Sequence, residues 1–343
     1  MSAPAATASQ PETQPMMRAA VLVGAGDMRV REVPVPSPGP GEVRLRVEGC
    51  GVCASNLGPW SGPAWMTYPC PPGDMGHEGW GTVDAVGEGV ETLRPGQRVA
   101  AISFNSYADY DIVRADAAVP LPDALAGLPF PGEALGCAVN IFRRADIRPG
   151  QTVAIIGIGF LGAILTGLAA DAGARVIAIS RRASSLELAR RRGAAETIPM
   201  EDRAAIVARV EAATGGRLCE RVIEAVGKQW PLDLAGDLIG FGGRLVVAGY
   251  HQDGPRQVNM QGWNWKGIDV VNAHERDPAV VIAGVRAAVE LASSGRIDPA
   301  PLYTHRYPLD RLGDALDATR DKPDGFVKAL LILSGDTGGE GMS

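Results

Sequence analysis

TVAIIGIGFLGAILTGLAADAG, Thr152 to Gly173, is the stretch whose reading decides the fold. It begins as an apolar strand, bends through Gly157, Gly159 and Gly162, and continues as a helix. In a G-x-G-x-x-G bend the first glycine permits the tight turn. The second lets the backbone approach a pyrophosphate, and the third lets helix and strand pack closely. The backbone of Phe160 and Leu161 would then open a helix whose positive N-terminus faces the phosphates. Glycines also close ordinary strand-to-helix turns, so it is the strand before and the helix after that give the motif its weight.

Downstream, ARVIAIS reads as a second strand, and helices and apolar strands alternate as far as IDVVNA. Buried strands alternating with helices of this length predict an α/β, doubly wound parallel sheet. The end of the second strand bears on cofactor choice. An NAD site normally carries a carboxylate there for the ribose hydroxyls. This chain has Ser180, Arg181 and Arg182 instead. A small hydroxyl and two guanidiniums suit the 2′-phosphate of NADP. NAD stays open, because the arginines could simply solvate a loop.

Upstream, from Met17 to about Phe130, the texture is short strands broken by PSPGPGE and LRPGQR, which predicts a β-rich, barrel-like unit. The first 16 residues are rich in Ala, Ser, Thr, Pro and Gln and read as a disordered tail without the form of an export signal. The 343 residues favour two domains, and 46% hydrophobic residues allow sizeable cores. Charge is 33 basic against 39 acidic, net −6 and unclustered, which argues against a nucleic-acid surface. No apolar run has the length of a membrane span. Five cysteines without a leader point to a reducing, cytoplasmic setting.

Two residues at predicted strand ends and one just before a predicted helix form a candidate metal set. Cys53 closes GCGVC, His77 stands in GDMGHEGWG with Glu78 beside it, and Glu133 lies in FPGEALGC. Thiolate, imidazole and carboxylate are ordinary zinc ligands, and a catalytic site keeps one position open. Spacing alone does not bring them together. Cys50 and Cys53 form a C-x-x-C, but a redox pair would need that motif after a strand at a helix start within a different fold; Cys50 is expected to face the sheet interior. Cys137 is a rival ligand, more in keeping with a packed helix.

GVCASNL, GHEGWGTVDAVGEGV and GIGFLG, with the turns LRPGQRV and IRPGQTV, resemble the signatures of the medium-chain, zinc-dependent alcohol and polyol dehydrogenases. The resemblance runs from about Met17 to Leu333. It implies a GroES-like β-rich catalytic domain (17–133), a Rossmann cofactor domain (134–274) and a return to the catalytic domain (275–343), with the active site in the cleft. It implies one catalytic zinc on Cys53, His77 and Glu133, the glutamate of the sorbitol-dehydrogenase branch, with Glu78 exchangeable. It gives Ser55 the relay of the alcohol proton and Lys328 the cofactor pyrophosphate. Relatives of this kind are homodimers or homotetramers. Trp60, His251 and His274 are candidate contacts for a polyol, sugar or cyclitol; each could equally be packing or loop structure.

Three departures from the pattern stand out. Asn56 replaces the usual aspartate that orients the histidine ligand, Gly58 stands where a relay histidine would be, and AAISFNSYADYDIV runs through the place of a four-cysteine structural zinc lobe. Two alternatives follow: a zinc-free NADPH quinone or enone reductase on the same scaffold, and a catalytically impaired NAD(P)-binding protein. The ligand candidates and Ser55 weigh against both.

Overall fold

The computed structural model describes residues 14–333; the tail reading falls mostly on residues 1–13, outside them. The chain opens with β1 (Met16–Gly24), β2 (Asp27–Pro34), β3 (Glu42–Val52), α1 (Leu57–Ser61), β4 (Gly79–Val86), β5 (Arg98–Ala101), β6 (Tyr110–Arg114), β7 (Ala118–Pro120) and α2 (Gly132–Ala145). It continues through β8 (Thr152–Ile156), α3 (Phe160–Asp171), β9 (Arg175–Ser180), α4 (Ala183–Arg191), β10 (Glu196–Pro199) and α5 (Arg203–Thr214). Then come β11 (Cys219–Glu224), α6 (Gln229–Leu238), β12 (Ile239–Val247), α7 (Met260–Lys266) and β13 (Asp269–Asn272). The last elements are α8 (Pro278–Ser293), β14 (Tyr303–Tyr307), α9 (Leu312–Asp321) and β15 (Lys328–Ile332).

Strands β8 to β13 form one parallel six-stranded sheet in the order β10-β9-β8-β11-β12-β13. Val153 to Ile156 of β8 are fully buried, as a central parallel strand covered on both faces must be. Strand order reverses at β8, so a crevice opens beyond the C-terminal ends of β8 and β11, where this fold binds its ligands. Two elements are not legible in the sequence. β10 is a four-residue edge strand, and α7 is a short helix with no buried residue to give it periodicity.

The second sheet runs β14-β15-β3-β4-β5-β7, with β6 also paired to β3. Along β3, Val43, Leu45 and Val47 are buried while Arg44 and Arg46 face outward, the two-residue period of a strand with one solvated face. β15 lies antiparallel on β3, with Ala329 opposite Val52 and Leu331 opposite Cys50. This pairing carries the C-terminal strand to the segment that ends in Cys53. β1 and β2 form a hairpin of their own.

The boundary drawn at residue 275 leaves α8 in the return segment, yet α8 packs along α2. A Cβ on Gly136 would lie 2.7 Å from the Val285 nitrogen, and Asn140 donates to the Val280 carbonyl at 3.0 Å. Val285 and Ala288 share one apolar core with Val153, Ile155 and Leu330. No helix among the described residues is long and apolar enough to cross a membrane.

Candidate active site

Sheet register assembles the donor cluster. Cys50 on β3 is opposite Gly79 on β4, and the Gly51 N–H donates to the Glu78 carbonyl at 3.1 Å. Cys53 and His77 therefore emerge from adjacent strand ends at the same edge of the sheet. The ligand atoms of Cys53, His77 and Glu78 lie within 4.8 Å of one another, the one such group found among the described residues.

The His77 ring is fixed from behind. Its Nδ1 donates to the Met75 carbonyl at 2.9 Å, which turns Nε2 toward the cluster. Asn56, buried, donates to the same carbonyl at 3.0 Å and to the Tyr107 hydroxyl at 2.8 Å; that hydroxyl donates in turn to Gly51. Asn56 thus acts as a donor that shares an acceptor with His77, not as a direct acceptor from the ring. Met75 adopts φ 72°, and Asp74 accepts its N–H at 2.8 Å. Left-handed backbone is costly for a non-glycine residue, and here it aims the carbonyl that both side chains use. Burial alone would lower the His77 pKa. The hydrogen bond and charge of Cys53, with Glu133 and Glu78, outweigh it and raise it to about 10.

Glu78 is 1% exposed and its Oε1 accepts from the Lys328 ammonium, 6% exposed, at 2.7 Å. The same ammonium lies 2.5 Å from Oε2, and a Cβ on Gly51 would fall 1.7 Å from that oxygen. Only glycine leaves room for this carboxylate. Burial would drive the proton off Lys328, but the charges of Glu78, Cys53 and Glu133 raise its pKa instead. Glu133, in the first turn of α2, lies outside the 4.8 Å group. It is close enough to His77 to be felt electrostatically; burial pushes its carboxyl pKa up, with His77 opposing. Ser55 is half-buried, its hydroxyl 3.5 Å from both His77 Nε2 and Asn56 Oδ1.

The glycine bend lies across the cleft. Gly157 has φ 96°, and a Cβ on Gly162 would sit 2.0 Å from the Gly157 carbonyl. A Cβ on Gly159 would meet nothing within 4 Å. The first and third glycines are thus demanded by the chain itself, while the second faces open space at the start of α3, where a phosphate can approach.

Two family profiles match the chain: "Alcohol dehydrogenase GroES-like domain" over residues 39–123 and "Zinc-binding dehydrogenase" over residues 161–292. Sorbitol dehydrogenase of Gallus gallus is 29% identical over 88% of this chain and 93% of its own. An alcohol dehydrogenase of Cupriavidus necator is 28% identical over 92% of this chain and 98% of its own. A structure from Sinorhizobium meliloti, described as a zinc-binding dehydrogenase bound to NADP, superposes with TM-score 0.80 at 27% identity, covering 93% of this chain and all of that one. The chain belongs to the medium-chain, zinc-type alcohol and polyol dehydrogenases. It is an oxidoreductase with a GroES-like domain and a Rossmann domain.

Several side chains of this dehydrogenase lie elsewhere than their sequence reading placed them. Trp60 is 6% exposed in a core beneath α9 and donates to Asp317 at 2.9 Å, so it does not wall a pocket. His251 has both ring nitrogens engaged. Nε2 lies 3.0 Å from the carboxylate of fully buried Glu224, and Nδ1 accepts from Arg256 at 2.9 Å. That makes it a loop tie without a free nitrogen for substrate. The Lys328 ammonium is spent on Glu78 and lies 5.1 Å from the Phe160 ring centroid, between donor cluster and nucleotide bend, and not on the pyrophosphate turn alone.

His274 stacks on Tyr250 with centroids 5.4 Å apart, at the ends of β13 and β12, on the cleft side of the sheet. Ser180 is buried and Arg181 exposed; Arg182 donates to the Phe326 carbonyl at 2.6 Å. Cys50 is fully buried, as expected, and all five cysteines are free thiols. Cys137 packs as a partly buried residue against the core. Phe104, 66% exposed and 6.2 Å from the His77 ring, is a neighbour that sequence reasoning missed. So are Met75 and Tyr107, because nothing local marks a backbone carbonyl or a distant hydroxyl as support for a ligand.

Proposed function

We propose that this dehydrogenase interconverts a secondary alcohol and its ketone, on a polyol, sugar or cyclitol, with one catalytic zinc and NADP. The observation that carries the reading is the compact set of thiolate, imidazole and carboxylate, with His77 Nε2 turned inward. Soft and borderline donors of this mix fit zinc. Cys53 and His77 would hold it, Glu133 would complete the set, and Glu78 would remain the exchangeable ligand that Lys328 holds back. The metal supplies Lewis acidity toward the substrate oxygen, and the nicotinamide supplies the carbon that exchanges the hydride.

The chain's own residues do the rest. Ser55, at 3.5 Å from His77 Nε2, stands where it can pass the alcohol proton toward solvent. The shared Met75 carbonyl keeps the imidazole in one tautomer and one orientation. Gln252 donates to the Ala54 carbonyl at 3.2 Å, joining the nucleotide domain to the segment that bears Ser55. Phe104 and His274 are available as pocket walls, and Ser180, Arg181 and Arg182 favour NADP over NAD. The sorbitol dehydrogenase relative supports the polyol class. The reading includes a homodimer or homotetramer; β13 ends its sheet with no outer neighbour among the described residues.

The test is metal content after exhaustive dialysis, wild type beside Cys53→Ala, followed by a polyol and sugar panel with both cofactors. About one zinc per wild-type chain, lost in the variant, is expected. Glu133→Gln should weaken retention more than Glu78→Gln. A wild type that holds no metal sinks the zinc mechanism and directs the panel to quinones and enones with NADPH.

A further inference from the structure

The loop from β12 to α7, residues 248–259, is tied down on the nucleotide side. Glu224, fully buried at the end of β11, accepts the Val226 and Gly227 N–H groups through Oε1, at 2.7 and 2.8 Å. Its Oε2 lies 3.0 Å from His251 Nε2. Arg256 donates to His251 Nδ1 at 2.9 Å, so the ring carries its proton on Nε2 and gives it to Glu224. The same guanidinium donates to the Gly227 carbonyl at 3.0 Å. Asp253 pairs with Arg256 and, at 2.5 Å, with Lys228. A Cβ on Gly249 would fall 2.1 Å from the Gly227 nitrogen, so this loop and the one after β11 meet backbone to backbone. A polar network with its members paired in this way holds the loop as one piece with the nucleotide domain.

From that frame Gln252 reaches across to the other domain. Its Nε2 donates to the Ala54 carbonyl at 3.2 Å, and its Oε1 lies 3.0 Å from where a Cβ on Gly58 would stand. Gly58 sits in the first turn of α1, where glycine weakens a helix. Here it leaves the room that the amide fills. The two ends of one side chain thus fit two features of a single segment, a carbonyl and a missing side chain. Ala54 stands between Cys53 and Ser55, so the bond fixes the nucleotide domain against the centre of the candidate site.

We propose that Gln252 is a positioning residue, a latch that ties the nucleotide domain to the Cys53–Ser55 segment. While the bond is made, the two sides of the cleft keep their register and the bound cofactor leaves slowly. Glu224, His251 and Arg256 act through Gln252 by setting the loop from which it reaches. The consequence for Ser55 rests on its reading as the proton-passing hydroxyl; the latch itself does not.

The experiment follows release of NADPH, and of NADH in parallel, by stopped-flow fluorescence from the full-length enzyme. The proteins are wild type, Gln252→Ala, Gln252→Lys, Gly58→Ala and the double variant Gly58→Ala/Gln252→Ala. Loss of one neutral hydrogen bond predicts release about 3- to 10-fold faster from Gln252→Ala. Its Tm should stay within about 2 °C of wild type, because the contact is exposed. Gln252→Lys keeps a donor of similar reach and should restore slow release. Gly58→Ala displaces the amide and should speed release to the same extent, yet add nothing in the Gln252→Ala background. Unchanged release from Gln252→Ala, or no rescue by lysine, overturns the latch. An equal effect of Gly58→Ala in both backgrounds overturns the pairing of the two positions. Ser55→Ala, assayed beside them, separates the readings: normal turnover there with fast release from Gln252→Ala sinks the role of Ser55 and supports the latch.

Discussion

Lys328→Met should be the most damaging single change near the site. It removes the cation that pairs with both oxygens of Glu78, at 2.7 and 2.5 Å, a carboxylate that is 1% exposed. Breaking a buried pair from one side leaves an uncompensated charge and costs about 3–5 kcal/mol. At about 2.1 cal/mol/K of unfolding entropy per residue, 343 residues convert that loss into a fall in Tm of about 4–7 °C.

Glu78→Gln should cost less, because Lys328 still feels the charges of Cys53 and Glu133. The double variant Glu78→Gln/Lys328→Met buries no charge and should lie closer to wild type than Lys328→Met does. The expected coupling is about 2–4 kcal/mol. Thermal melts of the four proteins, with chelator and without, complete the cycle. A Lys328→Met variant that loses under about 1 kcal/mol in chelator would show that Glu78 is not held as a buried charge, and the account of Gly51 and Lys328 would fall with it.

The second and third glycines of the nucleotide bend should separate stability from binding. Gly159→Ala meets open space and should leave stability within about 0.5 kcal/mol while weakening cofactor binding at least about tenfold. Gly162→Ala should cost about 1–3 kcal/mol, because its Cβ would fall 2.0 Å from the Gly157 carbonyl. Denaturant titration and cofactor fluorescence read the two quantities; a Gly159→Ala variant with unchanged cofactor affinity would refute the phosphate approach. Restoring the family's aspartate should do harm here. Asn56→Asp exchanges a donor for an acceptor against the Met75 carbonyl and should cost about 1–3 kcal/mol in stability, with weaker metal retention. A variant as stable as wild type would mean that the Asn56 amide is turned the other way.

The helices and the parallel strands were written in local pattern. The apolar run Thr152–Ile156, the glycines after it and the repeat of buried strand and helix carry the nucleotide domain, because backbone sterics and burial period act over a few residues. Where local signal is thin, as in four-residue β10 and unburied α7, the sequence was silent. The donor residues Cys53 and His77 were legible by type and by their places at strand ends.

Which groups meet was decided by tertiary structure. The register of β15 on β3 joins positions nearly three hundred residues apart, and it delivers Lys328 to Glu78. The same holds for His251, whose two nitrogens are claimed by Glu224 and Arg256, and for Trp60, which Asp317 draws into a core. A side chain's chemistry is fixed by the sequence. Its partner is fixed by sheet pairing and packing, whose long-range contacts leave no local trace.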